Sequence, residues 1–383
     1  LSKRFKGESL RDILINLKYY SSIAVDLAMY SLAFRDNLAA IEVLKMEETI
    51  DDLYKEAIAK LIIAFRSTTY LQQALGLISI ASSLDTISDA AGDIASVVLR
   101  GYPTHAYITA IMCHGEAVGL VKSRKHYKGV PARVDVLLLK RGDRYEIAPR
   151  TESILEDDVI VVRGPIEEVL EVARTLGEES LSKEKCGLEV SMQALGGDAL
   201  ALTLLSLKAI SRSMLDLAFY SLLSNDKSIA DTVAEMEVYA DKLYHELLEH
   251  LFTTSYPGRS SEMVSLAVLT KSLEEISDAA LRISNVIRYG QYAQVMSHVV
   301  SEGEEAYTRV KFKLREPLSL RGLGLEDRGF IPIAIYREGD WIAPVSSDVQ
   351  IKSEDEIILK YYRVGEEIRI LEELRERGLE PIR

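Results

Sequence analysis

Eight carboxylates stand in couples spaced by one helical turn: Glu47 with Asp51, Asp85 with Asp89, Glu237 with Asp241, and Glu274 with Asp278. On a helix, residues four apart share a face, so each couple aims two oxygen donors in one direction. Like charges at that spacing destabilise a helix by roughly 0.2–0.5 kcal/mol per couple, or about 1–2 kcal/mol for all four. These eight residues are the candidate metal ligands. The ion they would take is a divalent Mg, Ca, Mn, Fe or Zn, and oxygen donors favour the harder members over a soft metal. The competing reading of the same residues is a solvated acidic face that holds no ion. Repetition argues for the first reading, because all four spacings survive in both halves of the chain while most other exposed residues differ.

Other chemistry is excluded on spacing. His245-Glu246-Leu247-Leu248-Glu249-His250 places its second histidine five residues on rather than four, off the shared helical face that a zinc protease needs, and Lys55 and Lys60 stand at these positions in the other half. Cys113, His114 and Glu116 crowd three potential ligands into four positions at a domain join, with no second cluster to complete a site. Gly322-Leu323-Gly324 lacks the third glycine and the long helix of a dinucleotide fingerprint, and reads as a turn with a short helix. No serine- or cysteine-centred nucleophile elbow is present, and no histidine recurs in both halves. The expectation is a protein that is not an enzyme.

The elements that must position the acids are themselves duplicated. Leu17-Lys18 and Asp26-Leu27-Ala28-Met29-Tyr30-Ser31-Leu32 return as Leu207-Lys208 and Asp216-Leu217-Ala218-Phe219-Tyr220-Ser221-Leu222. Leu77, Ile80, Leu84, Ile87, Ala91, Ile94 and Val98 step by three and four, and Leu266, Leu269, Leu273, Ile276, Ala280, Ile283 and Ile287 repeat the step. This is the apolar seam of a long helix packed in a bundle. Two further helices precede each seam, through Leu17 to Leu27 and Met46 to Ala57 in the first half, so each half opens with three long antiparallel helices. Breaks are expected near Asp36-Asn37, Ser67-Thr68-Thr69, Asn225-Asp226 and Tyr256-Pro257-Gly258.

The period then changes to that of strands. Val134 to Lys140, a turn at Arg141-Gly142-Asp143, and Arg144 to Pro149 predict a hairpin, matched by Ile331 to Arg337, Glu338-Gly339-Asp340 and Trp341 to Pro344. Strands at Asp158 to Val162 and Asp355 to Leu359 follow, then charged amphipathic helices at Pro165 to Leu176 and Gly365 to Arg377. The fold class is α+β and multidomain. Its expected domains are a helical bundle over 1–113, an α+β module over 114–178, a second bundle over 179–300 and a second module over 301–383.

Composition agrees with a globular chain: 48% hydrophobic and 27% charged residues over 383 positions. A net charge of -13 argues against nucleic acid as a partner and for a cation or a basic surface. The most apolar stretch, Leu195 to Ile210, is broken by Asp198 and Lys208, so no membrane-spanning helix is expected. No secretory signal is visible, and two cysteines point to a reducing compartment.

Leu84-Asp85-Thr86-Ile87-Ser88-Asp89-Ala90 and Leu273-Glu274-Glu275-Ile276-Ser277-Asp278-Ala279 resemble the helix motif of the PhoU family, and Glu47 to Asp51 and Glu237 to Asp241 its partner motif. The α+β modules resemble the RCK-C, or TrkA-C, module of potassium-conductance regulators: a strand, a charged turn around glycine, a short strand ending in proline and an Asp-led strand, met at Val310 to Leu359. Taken together the resemblances imply a cytoplasmic homodimer, held at the membrane by its partner, that senses an ion or small nucleotide and modulates a potassium-type channel or transporter. The alternative they imply is a phosphate-transport regulator or metal-binding protein acting through the carboxylates. Residues for the effector are not assigned.

Overall fold

The computed structural model describes residues 8–65, 70–112, 116–129, 131, 133–142, 144–147, 149, 153–178, 198–253, 260–313, 317–362, 374–375 and 378–382. The breaks expected at Ser67-Thr68-Thr69 and at Tyr256-Pro257-Gly258, the pair Cys113-His114, and nearly all of the expected helix from Gly365 to Arg377 lie outside these residues. No helix among the described residues is long and apolar enough to cross a membrane. The chain forms two compact units, each drawing one part from each half. One unit comprises residues 1–112 and 190–303, the other residues 113–189 and 304–383.

The first unit is helical. Its first half supplies α1 (Leu10–Phe34), α2 (Asn37–Ala64), α3 (Leu71–Leu99) and the short α4 (Ala106–Ile111). After α5 (Ile166–Thr175), which belongs to the other unit, the second half supplies α6 (Ala199–Ser224), α7 (Lys227–Thr253), α8 (Ser260–Arg288) and the short α9 (Val295–Ser301). The three long helices of each half were legible from period; α4 and α9 are too short for one and were not foreseen. The turn after the first helix uses one device twice. Arg35 and Asn225 close their helices in the left-handed region, and Asp36 and Asp226 then accept from Leu38 and Ser228 amides at 2.9 Å to start the next.

All seven seam residues of α3 and all seven of α8 are buried. The two helices also pack on each other, and they run antiparallel: Asp93 near the end of α3 meets Lys271 near the start of α8 at 3.1 Å, while Gly76 near the start of α3 lies against Val286 and the Gln291 carbonyl at the far end. A side chain at Gly76 would overlap that carbonyl, so its absence lets the backbones close up. A second tie joins the halves where Arg212 on α6 donates to the buried Asp26 of α1 at 3.0 Å and stands 3.7 Å from Asp216. The first half carries Ser22 at the place of Arg212.

The second unit holds two sheet modules. In the first, the order β1 (Glu116–Lys122), β6 (Val159–Pro165), β3 (Asp135–Arg141), β4 (Arg144–Ile147) is antiparallel throughout, with β2 (Tyr127–Lys128) and β5 (Ser153–Ile154) as a separate ribbon and α5 packed on β1 and β6. The second repeats it as β7 (Glu305–Phe312), β12 (Glu356–Tyr362), β9 (Ile331–Arg337), β10 (Asp340–Ile342), with the ribbon of β8 (Leu318–Ser319) and β11 (Gln350–Ile351). It adds β13 (Leu379–Ile382) on the outer edge of β7. Gly322 and Gly324 fall in a single turn of 3-10 helix and its cap, as expected.

The acid that leads the expected Asp-led strands proves to be a staple. Asp158 receives hydrogen bonds from Arg141, the shortest from each of two nitrogens at 3.0 and 2.7 Å, and one from the Leu155 amide (2.7 Å). Asp355 receives the same from Arg337 (3.0 and 2.6 Å) and the Lys352 amide (2.7 Å). Such bidentate, charge-assisted bonds fix the hairpin against the strand that follows.

The modules are joined by ion pairs exchanged between them. Lys360 of the second reaches Glu116 of the first at 3.1 Å, and Arg163 of the first reaches Glu305 of the second at 3.3 Å. Lys360 also touches Glu305 at 3.0 Å, Arg163 binds Asp135 at 2.8 Å, and both cations lie over the Tyr362 ring. Both cations are fully buried. The sequence left open whether the modules pair within one chain or between two; here they pair within one. Removing one partner of a buried pair leaves an uncompensated charge. Lys360→Met is therefore expected to lower the unfolding free energy of this unit by about 3–5 kcal/mol in denaturant titration, whereas the exposed Lys313→Met, which breaks an exposed pair with Glu380, changes it by less than about 1 kcal/mol.

Candidate carboxylate site

The eight predicted carboxylates all lie in the helical unit, on two seams: α2 against α3 in the first half and α7 against α8 in the second. Glu47, Asp51 and Asp85 are half-buried there, and Asp89 is exposed at the rim. Glu237, Asp241, Glu274 and Asp278 are all half-buried. Each α3 or α8 couple is held in place from behind. The Ser21 hydroxyl on α1 is shared between the carbonyls of Leu17 (2.7 Å) and Leu84 (2.9 Å), fixing the residue next to Asp85. Ser211 on α6 does the same with Leu207 (2.8 Å) and Leu273 (2.9 Å), beside Glu274. A serine returning its hydroxyl to its own helix is common; reaching a second helix with it makes a tie.

Within each seam the acids act on one another. Burial pushes the Glu47 carboxyl up to about 7, reinforced by Asp89, Asp51, Asp93 and Glu48. Burial likewise pushes Asp85 up to about 6, with Asp89 and Asp51 adding to it and Lys55 opposing. Asp89, although at the rim, is raised by partial desolvation and then by Asp51, Asp93 and, across the antiparallel contact, Glu275 of α8. In the second half burial pushes Glu274 up to about 7, helped by Asp278, Glu275 and Asp241, and raises Glu237 with help from Asp241 and Asp278. Asp278 is raised by burial, but its next largest influence is Arg282, which lowers it. Crowded, partly desolvated carboxylates of this kind favour any bound positive charge, a proton or a cation.

Two residues that the sequence reading missed shape the first seam. Gly92 on α3 leaves room for the Glu47 carboxylate, which a methyl group at that position would overlap. Asp93 brings a ninth acid to the group. Aligning Ser88-Asp89 with Ser277-Asp278 puts Leu281 and Arg282 at these two places in the second half, a difference the sequence itself displays.

The family model described as the PhoU domain matches residues 14–98 and 204–287, the spans that carry α1 to α3 and α6 to α8. The three long helices of each half thus match the PhoU domain. Among solved structures it is similar to the phosphate transport system regulatory protein PhoU from Streptococcus pneumoniae, with 13% identity, a TM-score of 0.42, and 73% of this chain and 92% of that chain covered. It is similar too to PhoU from Pseudomonas aeruginosa, with 14% identity, a TM-score of 0.40, and 75% and 98% covered. No curated protein matches the sequence. Both PhoU matches end before the sheet modules begin.

Oxygen donors on a half-buried seam suit a hard divalent cation, and the space at Gly92 keeps the Glu47 carboxylate among them in the first PhoU domain. Among the described residues no three acidic, histidine or cysteine side chains of either PhoU domain are already drawn into ligand geometry. An ion would have to pull the carboxylates together. Two groups set aside on spacing are otherwise engaged: His245 lies 2.8 Å from the carbonyl of Asp241, and Glu116 pairs with Lys360.

Two outcomes are expected. Gly92→Ala should displace the Glu47 carboxylate, the far end of a flexible side chain, at little cost, and against the better helix propensity of alanine the stability of the helical unit should change by less than about 1 kcal/mol in denaturant titration. A loss of several kcal/mol that Glu47→Ala does not relieve would show that the position is closed by something other than Glu47. In buffer containing a chelator, the melting temperature should rise by a few degrees as pH falls from 8 to 5.5. Folded Glu47, Asp85 and Glu274 hold protons more tightly than the unfolded chain does, so stability falls as pH climbs from the ordinary carboxylate range to about 7. Glu47→Gln with Glu274→Gln should flatten the profile.

Proposed function

We propose that this chain is a non-catalytic regulator of a membrane phosphate-transport system, whose helical unit responds to a divalent cation at the PhoU carboxylates. The observation that carries the reading is the paired placement of acidic couples on adjoining helices, with proton affinity raised in both PhoU domains. A cation binding there relieves mutual repulsion and displaces protons, and it shifts the protein only as far as its affinities for two arrangements differ. The regulator works at the cytoplasmic face, reached through its membrane partner.

A second reading keeps a potassium-type channel or transporter as the partner and makes the sheet modules the sensor of an ion or small nucleotide. It is favoured by the doubled hairpin and Asp staple and by the buried pairing of two modules, which would give an effector two linked halves. In that reading a homodimer would add further pairs to the one each chain already contains.

Thermal unfolding of the intact chain separates these. Under the first reading, Mn, Mg or Ca at a hundredfold excess over its dissociation constant stabilises the helical unit by about 2.7 kcal/mol, and replacing the eight carboxylates by their amides abolishes the shift. A shift with potassium or a nucleotide that survives those replacements supports the second reading. Silence to every addition overturns both.

A further inference from the structure

Leu17-Lys18 recurs as Leu207-Lys208, yet these lysines stand on α1 and α6, away from the carboxylate seams. Lys208, half-buried, donates to the Ile111 carbonyl at 2.7 Å and stands 3.5 Å from that of Met112. These carbonyls close α4, where a helix leaves acceptors without partners and its dipole favours a cation. The start of α4 is tied to the same long helix, because the Tyr107 hydroxyl donates to Asp198, the N-cap of α6, at 2.5 Å. Lys18 stands in the corresponding place for α9. It is buried and lines a small cavity with Val299 and Val300 of the last turn of α9, its ammonium 4.9 Å from the Phe219 ring of α6. Arg11, also on α1, pairs at 2.9 Å with Glu302, the residue that closes α9. Each short helix is thus strapped to the first long helix of the opposite half. Each also keeps to its own half: the Thr109 hydroxyl of α4 donates to the Ala33 carbonyl of α1 at 3.2 Å, and α9 packs on α6.

We propose that α4 and α9 are struts that carry a change in the spacing of α1 and α6 into β1 and β7, with Lys208 and Lys18 as the latches that keep each strut engaged. Helices of six and seven residues have no stability of their own and hold their shape only while such contacts last. A displacement of α1 relative to α6 must therefore move the struts or undo the latches. Glu116 follows Met112 by four positions, and Glu305 follows Ser301 by four. Both acids are held by cations of the sheet unit, Glu116 by Lys360 at 3.1 Å and Glu305 by Lys360 at 3.0 Å and Arg163 at 3.3 Å. Four positions of fully extended chain reach at most about 14 Å, which limits the slack between strut and clamped strand. The coupling is reciprocal, so loosening the clamp must reach the struts in turn. The device operates whichever ligand sets the spacing of α1 and α6.

Hydrogen exchange of the intact chain, read by mass spectrometry, tests it. Lys208→Met keeps the stem and removes the ammonium. It is expected to speed exchange about tenfold in α4 and about threefold or more in β1, with α9 and β7 within about twofold of wild type. Lys18→Met should give the crossed result, with α9 and β7 faster and α4 and β1 unchanged. Lys360→Met, made in the sheet unit, should in return speed exchange in both α4 and α9. Faster exchange in α9 rather than α4 on Lys208→Met overturns the crossed strap. Faster α4 with β1 at its wild-type rate, or struts that do not respond to Lys360→Met, overturns the transmission. Should a lysine variant fail to fold, Tyr107→Phe removes the hydroxyl that reaches Asp198 and makes the same comparison. It should speed α4 and β1 and spare α9, and equal rates for wild type and variant in α4 overturn the strap.

Discussion

The antiparallel contact of α3 with α8 is the constraint on which the helical unit depends. It makes one body of two bundles that could each have been separate, and it requires Gly76, because a side chain there would strike the far end of α8. It also sets the electrostatics. Helices running in opposite directions bring Asp89 within influence of Glu275 and Asp93 within reach of Lys271, so the first acidic group does not titrate in isolation from the other half.

The same logic of exchange recurs in the second unit with different materials. There Glu116 and Glu305 each find a cation in the opposite module, in the reciprocal pattern that symmetric interfaces show. Burying such pairs is costly unless geometry is good and every partner stays, which makes them poor sources of stability and good determinants of which surfaces meet. Helical and sheet parts thus reach a two-copy arrangement inside one polypeptide, the first through apolar stripes and the second through buried charge.

Much of this was legible in the residues. The steps from Leu77 to Val98 and from Leu266 to Ile287 fixed the two central helices, since burial of a stripe is a local periodic fact. The four carboxylate couples were found from spacing, and duplication located every helix break that the structure describes. What escaped was long-range or too short to be periodic. No period announces α4 or α9, at six and seven residues. Asp158 and Asp355 looked like the start of a strand rather than staples, because their arginine partners lie on another strand of the hairpin. Gly92 matters only through Glu47, on a different helix, and the reversal of sign at Asp93 and Arg282 was visible in the alignment of the two halves but had no meaning until those positions were seen to border the acids.

Arg212 makes the two halves unequal. One guanidinium from the second copy donates to a buried acid of the first and stands near its own, while the first copy has serine there. A chain built from the first half twice would put a short hydroxyl where the guanidinium now stands and would lose this charged tie between the copies, so neither half can take the other's place.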